Sequence, residues 1–363
     1  MREIVRYAAD RFIEIVPEIE MPGHAMAALA SYPWLGCLGE GYEVPSLWGV
    51  KEDVYCAGKD STFVFLEDVL TEVTDLFPYG LVHIGGDECP KARWKECPRC
   101  QRRMRDEGLG SEEELQSYFV RRIERFLASR NRRMVGWDEI RQGGLSETAI
   151  VLSRKREQGL RSALENGNDV IMTPYMNCYF DYYQGSRETE PLAFGGFLPL
   201  RTAYDLDPFE GLDAEQSRRI LGVQCNLWTE FVATLDHAEY MLLPRLAAFA
   251  ERAWTGGEGD YPDFLRRLSR CRGCTTRRDT STGFRPEADS RGHRKACRSV
   301  AACRFRRDTD VRTTGPEPVR KRFGTTRPEV GRPFVAFRPK GRRERFAGIG
   351  IPAERNSGGP AFG

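Results

Sequence analysis

Two adjacent carboxylates, Asp87 and Glu88, close the run Leu81-Val82-His83-Ile84-Gly85-Gly86-Asp87-Glu88. The apolar half reads as a buried strand, and the two glycines let the backbone turn closely. Neighbouring acids repel each other, so a strand end is a poor place for them unless something binds there. Paired carboxyl groups are the usual means of cleaving a glycosidic bond. The plain alternative is a solvated loop that happens to hold two acids. It loses ground because the same arrangement recurs along the chain.

Residues 12–16 are apolar apart from Glu14 and run into Glu18, Glu20 and Pro22-Gly23-His24. Met134-Val135-Gly136-Trp137 runs into Asp138-Glu139, and residues 149–152 end at Ser153-Arg154. Residues 169–174 lead to Tyr175, Tyr179 and Asp181; residues 220–224 lead through Asn226 and Trp228 to Glu230. Between these runs lie helical patterns. Residues 61–77 put Leu66, Val69, Leu70, Val73 and Phe77 on one face. Ser111-x-x-Glu114 is a capping box that opens a helix with Leu115, Tyr118, Phe119, Ile123, Phe126 and Leu127 inward. Asp236-x-x-Glu239 has a similar form before residues 240–249.

Strand, loop and helix in repetition make a parallel α/β protein. Polar residues at the ends of many different strands favour a (β/α)8 TIM barrel over a doubly wound sheet, whose signal would sit in one glycine-rich turn. Neither G-x-G-x-x-G between strand and helix nor G-x-x-x-x-G-K-[ST] is present. Six strand units are legible, at 11–20, 80–88, 133–139, 149–154, 169–175 and 220–230. A closed barrel needs eight, so the reading is an incomplete barrel whose first two units lie upstream of Met1.

The chain has two unlike parts, a barrel over residues 1–269 and a basic tail over 270–363. Residues 271–363 contain no Leu, Met, Trp, Tyr or Gln. They carry 23 Lys+Arg against 9 Asp+Glu, leaving residues 1–270 with 32 basic and 44 acidic residues, so the net charge of +2 averages two opposites. A basic tail can bind nucleic acid. This one has no RGG repeat, zinc-finger spacing or periodic basic face, and no strand or Leu-rich pattern. It reads as disordered or as out-of-frame translation, so nucleic acid is not expected as a partner, and a basic-tailed nucleic-acid binder stays only as the last of three function readings. No run of 18 apolar residues is present, so no membrane span is expected.

The motifs together resemble glycoside hydrolase family 20, the β-N-acetylhexosaminidases. His83-Ile84-Gly85-Gly86-Asp87-Glu88 is similar to that family's signature. Pro17-Glu18-Ile19-Glu20-Met21-Pro22-Gly23-His24 resembles its third-strand motif. Gly136-Trp137-Asp138-Glu139, Tyr179-Phe180-Asp181 and Leu227-Trp228-Thr229-Glu230 resemble later motifs in the right order, and bacterial members look closest. The resemblance implies a retaining, substrate-assisted hydrolysis of terminal β-linked N-acetylhexosamine, in which the sugar's own acetamido oxygen attacks the anomeric carbon. It implies a glycan, chitooligosaccharide or glycoconjugate substrate, no cofactor, and a periplasmic or extracellular enzyme.

By the same resemblance Glu88 is the general acid and then the base, with a pKa raised by its neighbour Asp87. Asp87 is the partner of the acetamido nitrogen. Tyr179 would donate to the acetamido carbonyl, and Trp137 and Trp228 would wall the sugar. Asp181 and Glu230 would bind hydroxyls, and His24 would support the catalytic acid. Each has a blander role available: tryptophans are commonly core, and a lone histidine is commonly structural.

Two departures stand out. The family usually has a Ser-Trp-Arg-Gly-like run where this chain reads Ser153-Arg154-Lys155-Arg156, which removes one wall of the acetamide pocket and puts cations near it. The family arginine that grips sugar hydroxyls belongs to the absent first strand. These departures define the alternative reading, an inactive sugar-binding remnant.

Eleven cysteines divide seven to four between barrel and tail. Cys37 and Cys56 flank the loop where family members often carry a disulfide, which suits an exported enzyme. Cys89, Cys97 and Cys100 follow the acidic pair, the last two as Cys-Pro-Arg-Cys. A zinc knuckle would want four ligands, and only the fold could recruit Cys178. A local disulfide or free thiols are expected, and no metal.

Overall fold

The computed structural model describes residues 1–155, 159–256, 259–270 and 335–337. Its centre is a curled sheet in the order β1 (Leu81–His83), β2 (Arg133–Trp137), β3 (Ile150–Ser153), β4 (Asp169–Met172) and β7 (Ile220–Cys225), all neighbours parallel. β5 (Tyr182–Tyr183) and β6 (Gly195–Phe197) form a separate small pair between β4 and β7. At the far edge β8 (Val335–Phe337) runs antiparallel to β7, a strand that the tail's composition does not announce. From residue 271 on, all but these three residues, the tail's four cysteines included, lie outside the described residues, as does Arg156. The arrangement is an incomplete (β/α) barrel.

Side chains alternate along each strand, so a strand buried on both faces reads as a continuous apolar run. Val135, Trp137, Ile150, Leu152 and Ile171 form the cluster on one face of the sheet. Met134, Val82 and Ile84 belong to a cluster with helices Asp60–Leu76 and Glu112–Ser129. Val151, Val170, Met172 and Val223 join the cluster that includes Phe249 of helix Arg245–Thr255.

The first expected strand is barely one. Residues 13–17 are extended without strand pairing, and a single bridge joins Glu18 to His83. The His83 amide donates to the Pro17 carbonyl, and the Ile19 and Met21 amides donate to the His83 and Ile84 carbonyls, each at 2.9 Å. Pro17 has no N–H to give, which limits the ladder. The Ser111 hydroxyl accepts from the Glu114 amide at 3.2 Å, but Glu114 returns its side chain to the Gly110 amide, so the capping box is half formed. The expected helix at 236–249 is two helices, Leu235–Leu242 and Arg245–Thr255, because Pro244 breaks it. Thr234, rather than Asp236, caps the first, accepting from the His237 amide.

The turn after β1 is tightly specified. Gly85 and Gly86 have φ of +68° and +91°, a region that suits glycine. A Cβ on Gly85 would lie 2.0 Å from the Glu20 carboxylate, and one on Gly86 2.2 Å from Ile140 Cγ2. The Glu20 carboxylate in turn accepts from the Gly86 amide at 2.7 Å. Gly86→Ala should therefore cost at least about 2 kcal/mol, since backbone strain and overpacking act together. Denaturant unfolding would show it, and an unchanged midpoint would contradict this account of the turn.

Candidate active site

Three consecutive strand ends supply one charged cluster. β1 leads to Asp87 and Glu88, β2 to Asp138 and Glu139, and β3 to Arg154. The Arg154 guanidinium lies 3.2 Å from Asp87 Oδ2 and 3.4 Å from Asp138 Oδ1, and it also pairs with Glu139. It stands 5.4 Å from the Trp137 ring centroid. Burial works against the Arg154 charge, but the carboxylates around it outweigh that, and its pKa ends above the ordinary guanidinium value.

The acidic pair divides by environment. Asp87 is buried, while the Glu88 side chain is 44% exposed. Burial raises the Asp87 pKa, opposed by the charges of Arg154 and His24, and Glu139 and Glu88 push it further up. His24 Nε2 sits 3.2 Å from Glu88 Oε2. Both residues have positive φ, +47° for His24 and +46° for Glu88. Non-glycine residues in that region cost on the order of 1 kcal/mol, and such strain gathers at sites where the surroundings over-determine the geometry. Here the Glu139 carboxylate accepts from the Glu88 amide at 2.6 Å, and the Gln116 side chain donates to the Gly86 carbonyl at 3.0 Å.

The aromatic residues converge on the same end of the sheet. Trp137 and Trp228 have ring centroids 5.7 Å apart, and Tyr179 and Trp228 6.0 Å apart. Trp137 is fully buried, against His83 on one side, and Trp228 is half-buried. Trp137 donates its indole N–H to Glu18 at 3.3 Å. Tyr179 is placed by backbone pairing, since the Phe180 amide donates to the Asn226 carbonyl and the Asn226 amide to the Cys178 carbonyl, each at 2.7 Å. Burial pushes the Tyr179 phenol up, and Arg154 pulls it partly back.

Asp181 is buried, and its carboxylate faces its own backbone amide and that of Trp228, which partly offset the cost of burial. Burial, with the nearby charge of Glu230, pushes its pKa up to about 7. Glu230 itself is exposed. The loop bearing Tyr179 and Asp181 is held by Arg245, which is fully buried. Its guanidinium donates to the carbonyls of Phe180 at 2.6 Å, Tyr182 at 2.9 Å and Leu198 at 3.0 Å. Burial lowers the Arg245 pKa to about 9.

Of the eight residues singled out from the sequence, Trp137 ends β2, Asp87 and Glu88 follow β1, Tyr179 and Asp181 follow β4, Trp228 and Glu230 follow β7, and His24 follows a segment held by a single bridge. The sequence did not single out Arg154's set of partners, the support of Glu88 by Glu139, or Arg245. The second acidic dipeptide, Asp138-Glu139 at the end of β2, was the available signal for the first two. The disulfide implied for Cys37 and Cys56 is absent: all seven barrel cysteines are free. Two groups could hold a metal ion by proximity of their ligand atoms, within 4.8 Å of one another: His24, Asp87 and Glu88 at this site, and Cys37, Cys56, Cys97 and Cys100 away from it.

The profile of glycosyl hydrolase family 20, catalytic domain, matches residues 1–257. The chain is 51% identical over 271 residues to a beta-hexosaminidase of Porphyromonas gingivalis, covering 74% of this chain and 35% of that protein. A beta-hexosaminidase of Vibrio furnissii is 37% identical over 255 residues, covering 69% and 42%. The chain therefore spans well under half the length of these relatives. Among solved structures, a beta-N-acetylhexosaminidase superposes with a TM-score of 0.72 at 28% identity, covering 81% of this chain and 63% of the other. The exo beta-N-acetylglucosaminidase of Vibrio harveyi, in complex with N-acetylglucosamine, gives 0.66 at 33% identity, covering 74% and 43%.

The buried Asp181 makes stability depend on pH. Its folded pKa of about 7 lies above the ordinary 3.8, so the folded chain keeps a proton that the unfolded chain loses. This contribution is full below about pH 4 and declines as pH rises through 7, by up to roughly 4 kcal/mol at about 1.4 kcal/mol per unit. Asp181→Asn should flatten that decline in denaturant melts taken at pH 5 and pH 8. An equal slope in both proteins would place the burial cost elsewhere.

Proposed function

The chain belongs to glycosyl hydrolase family 20, and from that premise we propose that it carries the catalytic face of an exo-acting β-N-acetylhexosaminidase. The substrate is a glycan ending in a non-reducing β-linked GlcNAc or GalNAc, and the anomeric configuration is retained. The observation that carries this reading is the divided acidic pair: a buried Asp87 beside a half-exposed Glu88 that meets His24. One carboxyl group can face the substrate's interior atoms while its neighbour reaches the leaving group.

The 2-acetamido oxygen attacks the anomeric carbon as the glycosidic C–O bond breaks. Glu88 gives its proton to the leaving oxygen, and the sugar becomes an oxazolinium ion. Asp87 accepts from the acetamido N–H and stabilises the positive charge that develops there. Tyr179 donates its hydroxyl to the acetamido carbonyl and aims it. Trp228 lies against the sugar, backed by Trp137. Glu88, now a carboxylate, takes a proton from the incoming water, whose oxygen bonds to the anomeric carbon and reopens the ring. Asp181 and Glu230 bind hydroxyls at the non-reducing end, and the proton that burial leaves on Asp181 lets it donate as well as accept. His24 steadies Glu88 through their 3.2 Å contact. We place the activity in the periplasm or outside the cell; no described helix is long and apolar enough to cross a membrane.

One observation favours a second reading, a sugar-binding remnant with little turnover. Arg154 occupies the position of the family tryptophan and pairs with Asp87. An acetamido N–H must then compete with a cation for the same carboxylate. Hydrogen bonds to charged groups are worth about 1.5–3 kcal/mol, which is roughly a 10- to 100-fold effect on rate.

Two measurements follow. Glu88→Gln should lower turnover about 10²- to 10⁴-fold on substrates with poor leaving groups, and far less on activated aryl glycosides that need little protonation. Equal losses on both would remove Glu88 from the role of acid. Arg154→Trp should raise kcat/KM on an aryl β-GlcNAc substrate at least about tenfold, provided the variant melts as a folded protein. Unchanged or lower turnover in a folded variant would show that Arg154 does not compete for Asp87.

A further inference from the structure

Four cysteines from three separate stretches meet at one point, outside the catalytic site. Cys37 follows the turn at Pro33–Leu35, Cys56 lies in the next loop, and Cys97 and Cys100 begin helix Pro98–Asp106. Cys37 Sγ is 3.8 Å from Cys100 Sγ; Cys56 Sγ is 3.8 Å from Cys97 Sγ and 3.6 Å from Cys100 Sγ. All four sulfurs lie within 4.8 Å of one another. Cys56, Cys97 and Cys100 are buried and Cys37 is half-buried.

These separations match one coordination figure. Zinc holds thiolates at about 2.3 Å in a tetrahedron, whose edge is then about 3.8 Å. A disulfide would need sulfurs at about 2.05 Å, so each pair would have to close by more than an ångström and a half. A thiolate-only, four-coordinate set suits zinc and leaves no open position for catalysis. The Cys-x-x-Cys half sits at a helix start, where unpaired amides favour negative sulfur.

The surroundings hold the ligands without help from a local disulfide. The Cys56 amide donates to the Leu35 carbonyl at 2.9 Å. Trp94 donates its indole N–H to the Tyr55 carbonyl at 2.9 Å, tying the Cys56 loop to the segment before Cys97. A Cβ on Gly58 would lie 2.2 Å from the Arg99 carbonyl carbon, so the Cys56 loop meets the first turn of helix Pro98–Asp106 backbone to backbone. Cys37 and Cys56 lie 41 to 63 positions from the partners they meet, so local spacing alone does not join them to Cys97 and Cys100.

We infer that Cys37, Cys56, Cys97 and Cys100 bind one structural Zn2+ that clamps the loop following His24 to the segment following Asp87 and Glu88. Loading is not a redox step. Four thiols release four protons, and one Zn2+ gains four thiolates, leaving a net charge of −2. The clamp has a route to the active site, since Tyr55, next to Cys56, donates its amide to the Pro22 carbonyl at 3.0 Å, two residues before His24. The inference stands whether or not the catalytic reading holds, because its ligands are none of the catalytic groups.

The test is metal content. The full chain, purified under reductant without chelator, should carry close to one zinc per polypeptide by elemental mass spectrometry. Exchange with Co2+ should give the visible bands of tetrahedral thiolate cobalt. Cys37→Ser and Cys100→Ser should cut zinc content at least fivefold, while Cys89→Ser and Cys178→Ser should leave it unchanged. Should the ligand variants fail to fold, the stoichiometry and cobalt spectrum of the native chain still decide. Four alkylatable thiols without metal, two disulfides in unreduced peptide maps, or iron in place of zinc would each overturn the inference.

Discussion

One guanidinium stands among three carboxylates at the ends of three adjacent strands, and the chemistry of the whole sheet face depends on that balance. Asp87, Asp138 and Glu139 could not share so small a volume as anions without a cation. Arg154 supplies it. The same contact ties up Asp87, the residue proposed to receive the acetamido group. The strand-end charge is therefore both what permits the acids to gather and what a substrate has to displace. Burial deepens this, because a competition for a desolvated carboxylate is settled by stronger interactions than one in water.

Around that cluster the backbone is fixed by close approach rather than by long strands. β1 has three residues and its outer neighbour only a bridge. The turn after it is instead set by Gly85 and Gly86 fitting against Glu20 and Ile140, and by side chains that bond its amides and carbonyls. Glu88 and His24 take up left-handed backbone within this frame and meet at 3.2 Å. Farther along the sheet, Arg245 does the corresponding work for the loop of Tyr179 and Asp181, with three carbonyls of that loop and its neighbour as acceptors.

The strand ends were legible because an apolar run followed by acids or aromatics is a local pattern. Trp137, Asp181 and Glu230 could be placed that way, and so could helices Asp60–Leu76 and Glu112–Ser129. What stayed hidden depends on distance along the chain. Arg154 meets Asp87 across 67 positions and Arg245 meets Phe180 across 65, and neither has a periodic signature. Pro244 stands inside an apolar helical pattern, and its missing N–H divides the helix. Asp138 and Glu139 carry a motif in the sequence, but their hold on Arg154 and the Glu88 amide exists only once three strands are side by side.

Membership of family 20 carries the proposal that the substrate's own acetamido group is the nucleophile. The direct test is the rate on aryl β-GlcNAc substrates whose N-acetyl group carries zero, one, two or three fluorines. Fluorine draws electrons from the carbonyl oxygen and weakens it as a nucleophile. With the acetamido group as nucleophile, kcat/KM should fall steeply with each fluorine added. A rate indifferent to fluorination would contradict it and require a nucleophile supplied by the protein.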